Sequence, residues 1–344
     1  MDSYQKGRKN NPTTSISRAV GMCCSAAIAS LLLTTASQAA DYPSRPIAMV
    51  IPYGPGGATD ISARAIAEPL GKAVGGALVM VNKAGAGGAT GSVDVKNAKP
   101  DGYTMLFARV GSHSVSPAMK STLPYSLDDF RFLGVYEINP VACAVRADSD
   151  INSIEDLVKK VQANPGKVSY SSSGVGSMLH LAAVMVLKEF GVQNPVQQII
   201  HLPMKGGGGA ATAVLTGTAT FICTNSSALA SFVQNKQLKP ILVTTAEPIE
   251  GFDAPTSKDL GKPALEQLVG WTGIASPAGL PDDIAADWQK WMAEATEDPK
   301  FKERMKASGS IIRLMSPDES KAFIDAQYTK FRSLVDELGM RIEG

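Results

Sequence analysis

Residues able to hold or transform a small molecule gather in four turns rich in glycine and serine, at 54–60, 108–113, 171–180 and 205–211. The most informative is Pro52-Tyr53-Gly54-Pro55-Gly56-Gly57-Ala58-Thr59-Asp60, which follows an apolar run at 47–51, read as a buried strand, and precedes a helical pattern at 61–74. Two prolines and three glycines leave little side chain over this backbone, and Thr59 or Asp60 can cap the helix that follows. Exposed N–H groups at the positive end of a helix are a place to hold an anion. Nothing in the turn alone separates a carboxylate receptor from a phosphate site. No nucleophile–base pair and no metal cluster accompanies it, which favours holding a carboxylate over transforming one.

Other chemistries find less support. The chain has three histidines, His113, His180 and His201, and no Gly-x-Ser-x-Gly elbow. Ser171, Ser172, Ser173 and Ser177 sit where a helix begins, the usual place of capping serines. His180 falls in the first turn of that helix, as a hydrogen-bonded structural histidine or as a ligand contact; His201, leading into Pro203, reads as structural. The spacing suggests no zinc site, and no metal or cofactor is expected. Gly85-Ala86-Gly87-Gly88-Ala89-Thr90 imitates a dinucleotide fingerprint, but Thr90 stands at the third glycine position. No acid ends a second strand about 20 residues on; Asp101 belongs to the turn Lys99-Pro100-Asp101-Gly102. In Lys205-Gly206-Gly207-Gly208-Gly209 the lysine precedes the glycines, so it is no phosphate loop.

Short apolar runs alternate with helical patterns along the chain. Strands are predicted at 47–51, 78–81, 104–107, 141–145, 168–171, 221–223 and 241–244, and helices at 61–74, 154–163, 178–190, 210–215, 282–295 and 317–338. This alternation argues for α/β lobes with largely parallel sheets, and the last hundred residues are mainly helical, with Trp288, Trp291 and Phe301 on apolar faces. The four turns join strands to helices, two in each half of the chain, and so point to a crevice at strand ends. No repeat and no low-complexity linker is present.

Lys6, Arg8, Lys9 and Arg18 form a basic leader before an apolar core at 26–33, and Ser37-Gln38-Ala39 offers small residues to a signal peptidase. A secretory signal over 1–39 is predicted, since a membrane anchor needs roughly 20 apolar residues in a row. Met22 before Cys23 does not suit a lipid anchor. Without residues 1–39 the chain has 29 basic and 31 acidic residues, a net charge near −2 that suggests neither nucleic acid nor an anionic membrane. Only Cys143 and Cys223 then remain; an exported protein could join them, but buried free thiols are expected. About 305 residues exceed one small core, and two lobes are expected.

From Tyr42 onward the chain resembles the periplasmic substrate-binding proteins of tripartite tricarboxylate transporters, the Bug family. The resemblance rests on Tyr42-Pro43-Ser44-Arg45-Pro46-Ile47, the turn at 52–60, Asn82-Lys83-Ala84-Gly85-Ala86-Gly87-Gly88, Pro100-Asp101-Gly102-Tyr103-Thr104, Gly111-Ser112-His113 and Leu123-Pro124-Tyr125. It continues through 170–177 with His180, His201-Leu202-Pro203-Met204-Lys205-Gly206 and Ala275-Ser276-Pro277-Ala278-Gly279. It implies a two-lobed α/β fold of the Venus-flytrap, type II-like kind, each lobe a central sheet flanked by helices. Lobe one would combine 41–140 and 248–344, with lobe two at 141–247. The implied carboxylate-holding loop of lobe one is Gly56, Gly57, Ala58, Thr59 and Asp60, with Tyr53, Ser112 and His113 as further candidates beside it. From lobe two come Ser173, Gly174, Gly176, Ser177 and His180. A periplasmic receptor is implied, not an enzyme, working as a monomer that delivers its ligand to a two-subunit membrane permease.

Two departures from the family pattern bear on the ligand. Thr224 stands where an acid is usual, and Arg109 where small residues are usual. If both face the cleft, a negative charge is lost and a positive one gained, favouring a dicarboxylate whose second carboxylate pairs with Arg109. Arg109 directed to solvent or to a structural acid is the competing expectation. Tyr53 could stack on a flat ligand, which admits an aromatic dicarboxylate. The rivals are a sensor for a membrane signalling protein and a secreted hydrolase using one of the serines at 171–177 with His180 as base.

Overall fold

The buried run Ile47–Ile51 is strand β1, and helix α1, Ala58–Val74, leaves its end through the turn at 52–57. The structure, a computed structural model, describes residues 1–3, 5, 7 and 42–343. The apolar core and cleavage position of the expected secretory signal lie outside the described residues. Two compact units are present, Met1–Tyr42 and Pro43–Gly344, and the described strands and helices belong to the second.

Helix α1 begins three residues earlier than predicted, at Ala58, because Gly57 takes the extended conformation of an N-cap. It stops where Gly75, at φ 68°, returns its N–H to Gly71 and Lys72, a left-handed cap that glycine adopts without strain. Strands β2 (Leu78–Asn82) and β3 (Thr104–Arg109) flank β1 in parallel, with α2 (Ala89–Lys96) between them in sequence. Strand β4, Phe130–Arg146, is 17 residues long and almost wholly buried. After it come α3 (Ile154–Ala163), β5 (Val168–Ser172), α4 (Met178–Glu189), β6 (Ile199–Pro203), α5 (Gly207–Leu215), β7 (Phe221–Asn225), α6 (Ser226–Gln234) and β8 (Leu238–Val243). Strand β9 (Val269–Pro277) precedes α7 (Asp282–Glu297), α8 (Pro299–Ala307), β10 (Ile311–Ile312) and α9 (Pro317–Glu337).

The sheet runs β2-β1-β3-β9-β4-β7-β5-β6, with β8 and β10 added to β4. It is mixed, which corrects the expectation of largely parallel pairing. β1–β2, β1–β3, β5–β6 and β5–β7 are parallel, but β9 is antiparallel to both β3 and β4, and β4 is antiparallel to β7 and β8. The physical reason is β9, which was not predicted. Val269-Gly270-Trp271-Thr272-Gly273-Ile274-Ala275-Ser276-Pro277 mixes small and polar residues and shows no apolar run, yet it slots between β3 and β4 and reverses the strand direction there. Strand β4 belongs to two strand groups. Residues 130–140 pair with β9, while 141–146 pair with β7 and β8.

The cysteine expectation is also corrected. Cys143 on β4 and Cys223 on β7 lie directly opposite one another in register, both fully buried, and are joined as a disulfide. They are 80 residues apart in sequence, so only strand register could reveal the pair. In the core, α7 packs along α1, with Trp288 at 0 % exposure, and α9 packs over β4, with its Ile324 and Phe331 buried.

Candidate functional site

Each of the four glycine- and serine-rich turns contributes to the wall of one cavity. Gly57, Ala58 and Thr59 come from the turn into α1, with Tyr53 before them; Arg109 ends β3, and Val110 and Gly111 follow it. Ser173, Met178 and Leu179 come from the turn into α4, and Gly207 opens α5. Thr224 and Asn225, at the end of β7, complete the lining.

Four helices therefore point their amino ends at the same space. The N-cap residues of α1, α5 and α6 are Gly57, Gly206 and Asn225, and none caps with its side chain. Helix α1 reaches the cavity with Ala58 and Thr59, α5 with Gly207 and α6 with its N-cap Asn225, so first-turn N–H groups, which have no partner within a helix, and the positive dipole ends lie beside it. Helix α4 differs, because Ser177 Oγ accepts the His180 N–H at 3.3 Å, and it presents Met178 and Leu179 to the cavity. Arg109 is the one charged side chain among the described lining residues. This is an environment for an anion.

The cavity is closed tightly. About 20 Å³ is open to the centre of a water molecule, room for a water but not for a dicarboxylate. The turns at 54–57 and 205–208 meet backbone to backbone. A Cβ on Gly57 would lie 3.1 Å from Gly207 N, and one on Gly208 only 2.6 Å from the Pro55 carbonyl oxygen. Elsewhere around it, the stretch 85–88 that imitates a nucleotide fingerprint lies against the loop at 174–176. Tyr53 donates its hydroxyl to the Gly87 carbonyl at 3.0 Å, Ser116 Oγ donates to the Gly176 carbonyl at 2.9 Å, and a Cβ on Gly87 would come within 2.7 Å of the Val175 carbonyl oxygen. Burial pushes the Tyr53 phenol up to about 12, which keeps it a donor.

Arg109 is 4 % exposed and tethered on both terminal nitrogens. Nη1 donates to Thr272 Oγ1 and lies 3.5 Å from Glu137 Oε2, while Nη2 donates to Asn225 Oδ1 at 2.6 Å. It thus reaches the cavity wall and a buried structural acid at once, so the two expectations for it are not exclusive. Thr224 is 1 % exposed, and its hydroxyl finds no partner among the described residues.

The other predicted residues stand around the cavity. Asp60 does not cap α1. It organises the turn from behind, accepting from Gly56 N at 3.0 Å, Arg64 Nε at 2.9 Å and Asn82 Nδ2 at 2.9 Å. Burial pushes its carboxyl up, but the bonds from Arg64, Gly56 and Asn82 together outweigh that and lower it. Gly56 and Asp60 face an outer groove lined also by α6 and α8. Ser112 and His113 lie behind the wall. Ser112 Oγ is 2.8 Å from His113 Nδ1, and the imidazole is packed against Phe130 at 4.9 Å and Phe132 at 5.7 Å, lowered to about 3 by burial. Gly174 and Gly176, both at positive φ, shape the loop without lining the cavity. His180 Nδ1 accepts from Gly176 N at 3.3 Å, and its ring stacks on His201 at 4.1 Å. Burial lowers both imidazoles, His180 to about 3 with help from His201, and His201 to about 4.

Sequence reasoning did not single out Asn225, Gly207, Met178, Leu179, Glu137 or Thr272. The available signal was strongest for Glu137, a carboxylate inside the apolar run Val135-Tyr136-Glu137-Ile138, where a charge must find partners. Thr272 and Asn225 could be found only through strand register. Among the described residues no cluster of His, Cys, Asp or Glu could hold a metal, and no helix is long and apolar enough to cross a membrane.

Residues 62–340 match the model of the tripartite tricarboxylate transporter family receptor. The protein BugT of Bordetella pertussis is 26 % identical over 325 residues, covering 92 % of this chain and 98 % of its own. The structure of the periplasmic binding protein BugD is similar at 29 % identity with a TM-score of 0.82, covering 88 % of this chain and all of that one. MatC of Rhodopseudomonas palustris, solved with bound malate, shares the fold at 22 % identity and a TM-score of 0.79 over 86 % of this chain and all of its own. An α/β fold whose glycine turns meet around one anion-seeking cavity, matched over most of its length, places the chain in the tripartite tricarboxylate transporter receptor family, whose solved members are periplasmic binding proteins.

Proposed function

We propose that this protein is a periplasmic receptor that closes on an organic carboxylate, preferably a dicarboxylate, and passes it as a monomer to a two-subunit membrane permease. The observation that carries the reading is the meeting of four helix amino ends and one guanidinium on a single cavity. One carboxylate binds the N–H groups of residues 57–59, and a second binds N–H groups of Arg109 not taken by Thr272 and Asn225. Tyr53, at the cavity wall, admits a flat ligand body as well as an aliphatic one.

The lobes are 41–140 with 248–344, and 141–247. Strand β4 passes between them at residues 140–141, where its partners change from β9 to β7 and β8, and this supports a hinge there. The apolar segment 26–33 and Ser37-Gln38-Ala39 support export with cleavage near Ala39.

The reading is of a receptor and not a hydrolase. Ser172 Oγ does lie 2.5 Å from His201 Nε2, but the serine is fully buried, does not line the cavity, and exchanges bonds with Gly174. A nucleophile needs access to its substrate. A thermal-shift screen against aliphatic, aromatic and amino-acid carboxylates, malate included, tests the claim, because a ligand that binds only the folded form raises the melting temperature. The carboxylate that shifts it should be recovered intact after incubation. No shift with any carboxylate would undo the proposal. Arg109→Ala should cost a dicarboxylate about tenfold more affinity than its monocarboxylate analogue; equal losses would remove Arg109 from the distal site.

A further inference from the structure

Behind the guanidinium at the cavity wall, the fold buries a carboxylate. Arg109, Thr272 and Glu137 lie opposite one another on β3, β9 and β4 and make one row across three strands. Arg109 Nη1 donates to Thr272 Oγ1, and Thr272 Oγ1 donates onward to Glu137 Oε2 at 2.5 Å. Glu137 Oε1 accepts from Asn139 Nδ2 at 2.6 Å and from Ser310 Oγ at 2.8 Å. Both oxygens act only as acceptors, and the residue has no exposed surface. On the far side of Arg109, Asn225 accepts from Nη2 and is itself fixed by donating Nδ2 to the Asn139 carbonyl at 2.8 Å.

We propose that Glu137 is a specificity-determining residue that acts through Arg109. It aims the guanidinium at the cavity and cancels part of its charge, so the pair, not Arg109 alone, sets the preference for a dicarboxylate over a monocarboxylate of the same length. The proposal rests on the reading of Arg109 as the seat of the ligand's second carboxylate. Its physical basis is the surroundings. A guanidinium this buried, with no counter-charge, would be costly in the empty site and would retain any anion that entered. With Glu137 at 3.5 Å the empty site is balanced. The same carboxylate opposes a second ligand charge at the cavity's end, where little water screens it. Glu137 does not touch the ligand and is a positioning residue.

The test is titration calorimetry of the full mature chain with adipate and with hexanoate, a pair matched in length. In Glu137→Gln the ratio of hexanoate to adipate dissociation constants should rise about tenfold over wild type, because Arg109 then acts unopposed. A ratio unchanged or lowered overturns the proposal; a role in folding alone would weaken both probes equally. Should that variant not fold, Arg109→Gln is compared with the double variant Arg109→Gln, Glu137→Gln. The unopposed carboxylate of the single variant should penalise adipate specifically, and the double variant should recover that loss. Equal ratios in the two overturn the proposal. If Arg109→Gln weakens both probes alike, the reading of Arg109 itself has failed, and the proposal falls with it.

Discussion

Thr224 stands where one residue can bear on both stability and the proposed binding. Its hydroxyl is buried against the cavity with no partner among the described residues, and a buried hydroxyl left unpaired costs roughly 1–3 kcal/mol. An isosteric apolar side chain removes that cost, whereas a carboxylate oxygen arriving in the cavity would satisfy it. Thr224→Val should therefore raise the melting temperature of the ligand-free protein while weakening carboxylate binding about tenfold, shifts of opposite sign. Calorimetric melting and titration of the same preparation read both, and a loss on both counts would mean the hydroxyl has a structural role. Of the residues predicted for the ligand, Tyr53, Gly57, Ala58, Thr59, Arg109, Ser173 and Thr224 reach the cavity wall. They were legible because a glycine turn between a strand and a helix exposes its own backbone. Ser112 and His113 share such a turn, but it coils after Gly111 and carries them under the aromatic rings of Tyr125 and Phe130, a direction no local pattern announces.

Between elements, the turns around the cavity meet as glycine backbones, the contact on which the proposed lobes would close. The turn at 54–57 meets the start of α5 at Gly206, Gly207 and Gly208, and the stretch 85–88 meets the loop at 174–176. Gly208 is outside the cavity lining, its φ lies outside the left-handed region, and a helix start tolerates alanine. If the proposed lobes open and close, Gly208→Ala leaves an open form unstrained, while in the arrangement described it drives a methyl to within 2.6 Å of the Pro55 carbonyl. Ligand affinity should drop tenfold or more, with unfolding stability unchanged within about 0.5 kcal/mol. Small-angle scattering with saturating ligand should then report a larger radius of gyration than for wild type. A scattering curve identical to wild type, with unaltered affinity, would mean that these backbones do not govern closure.

At the scale of the whole molecule, the histidines give the fold an acid limit. His113, His180 and His201 are all depressed by burial, to about 3, 3 and 4, against an ordinary value near 6.5 in the unfolded chain. Between those values the unfolded state binds more protons, so stability rises with pH through this window. The contribution is complete above about pH 6.5 and is lost progressively as the pH falls toward 4 and below. The urea midpoint should decline between pH 7 and pH 5, and His113→Leu should flatten that decline, since its imidazole is the most enclosed of the three. A midpoint constant over that range would contradict the burial argument.

Local sequence was enough for the α/β class, most strands and helices, the family, and the four turns that meet at the cavity. Apolar periodicity and glycine placement are properties of neighbouring residues, and the chain carries them wherever it goes. Whatever depends on strand register and on contacts distant in sequence emerged only in the folded chain. Strand β9 enters the middle of the sheet against the direction of its neighbours and sets Thr272 between Arg109 and Glu137. Register likewise joins Cys143 to Cys223, which composition favoured as free thiols. The turn at 52–60 was an anion perch on local grounds; it became part of one cavity wall only when four segments distant in sequence brought their turns to the same small space. Pairing energies between remote strands fixed that convergence, and no window of neighbouring residues contains them.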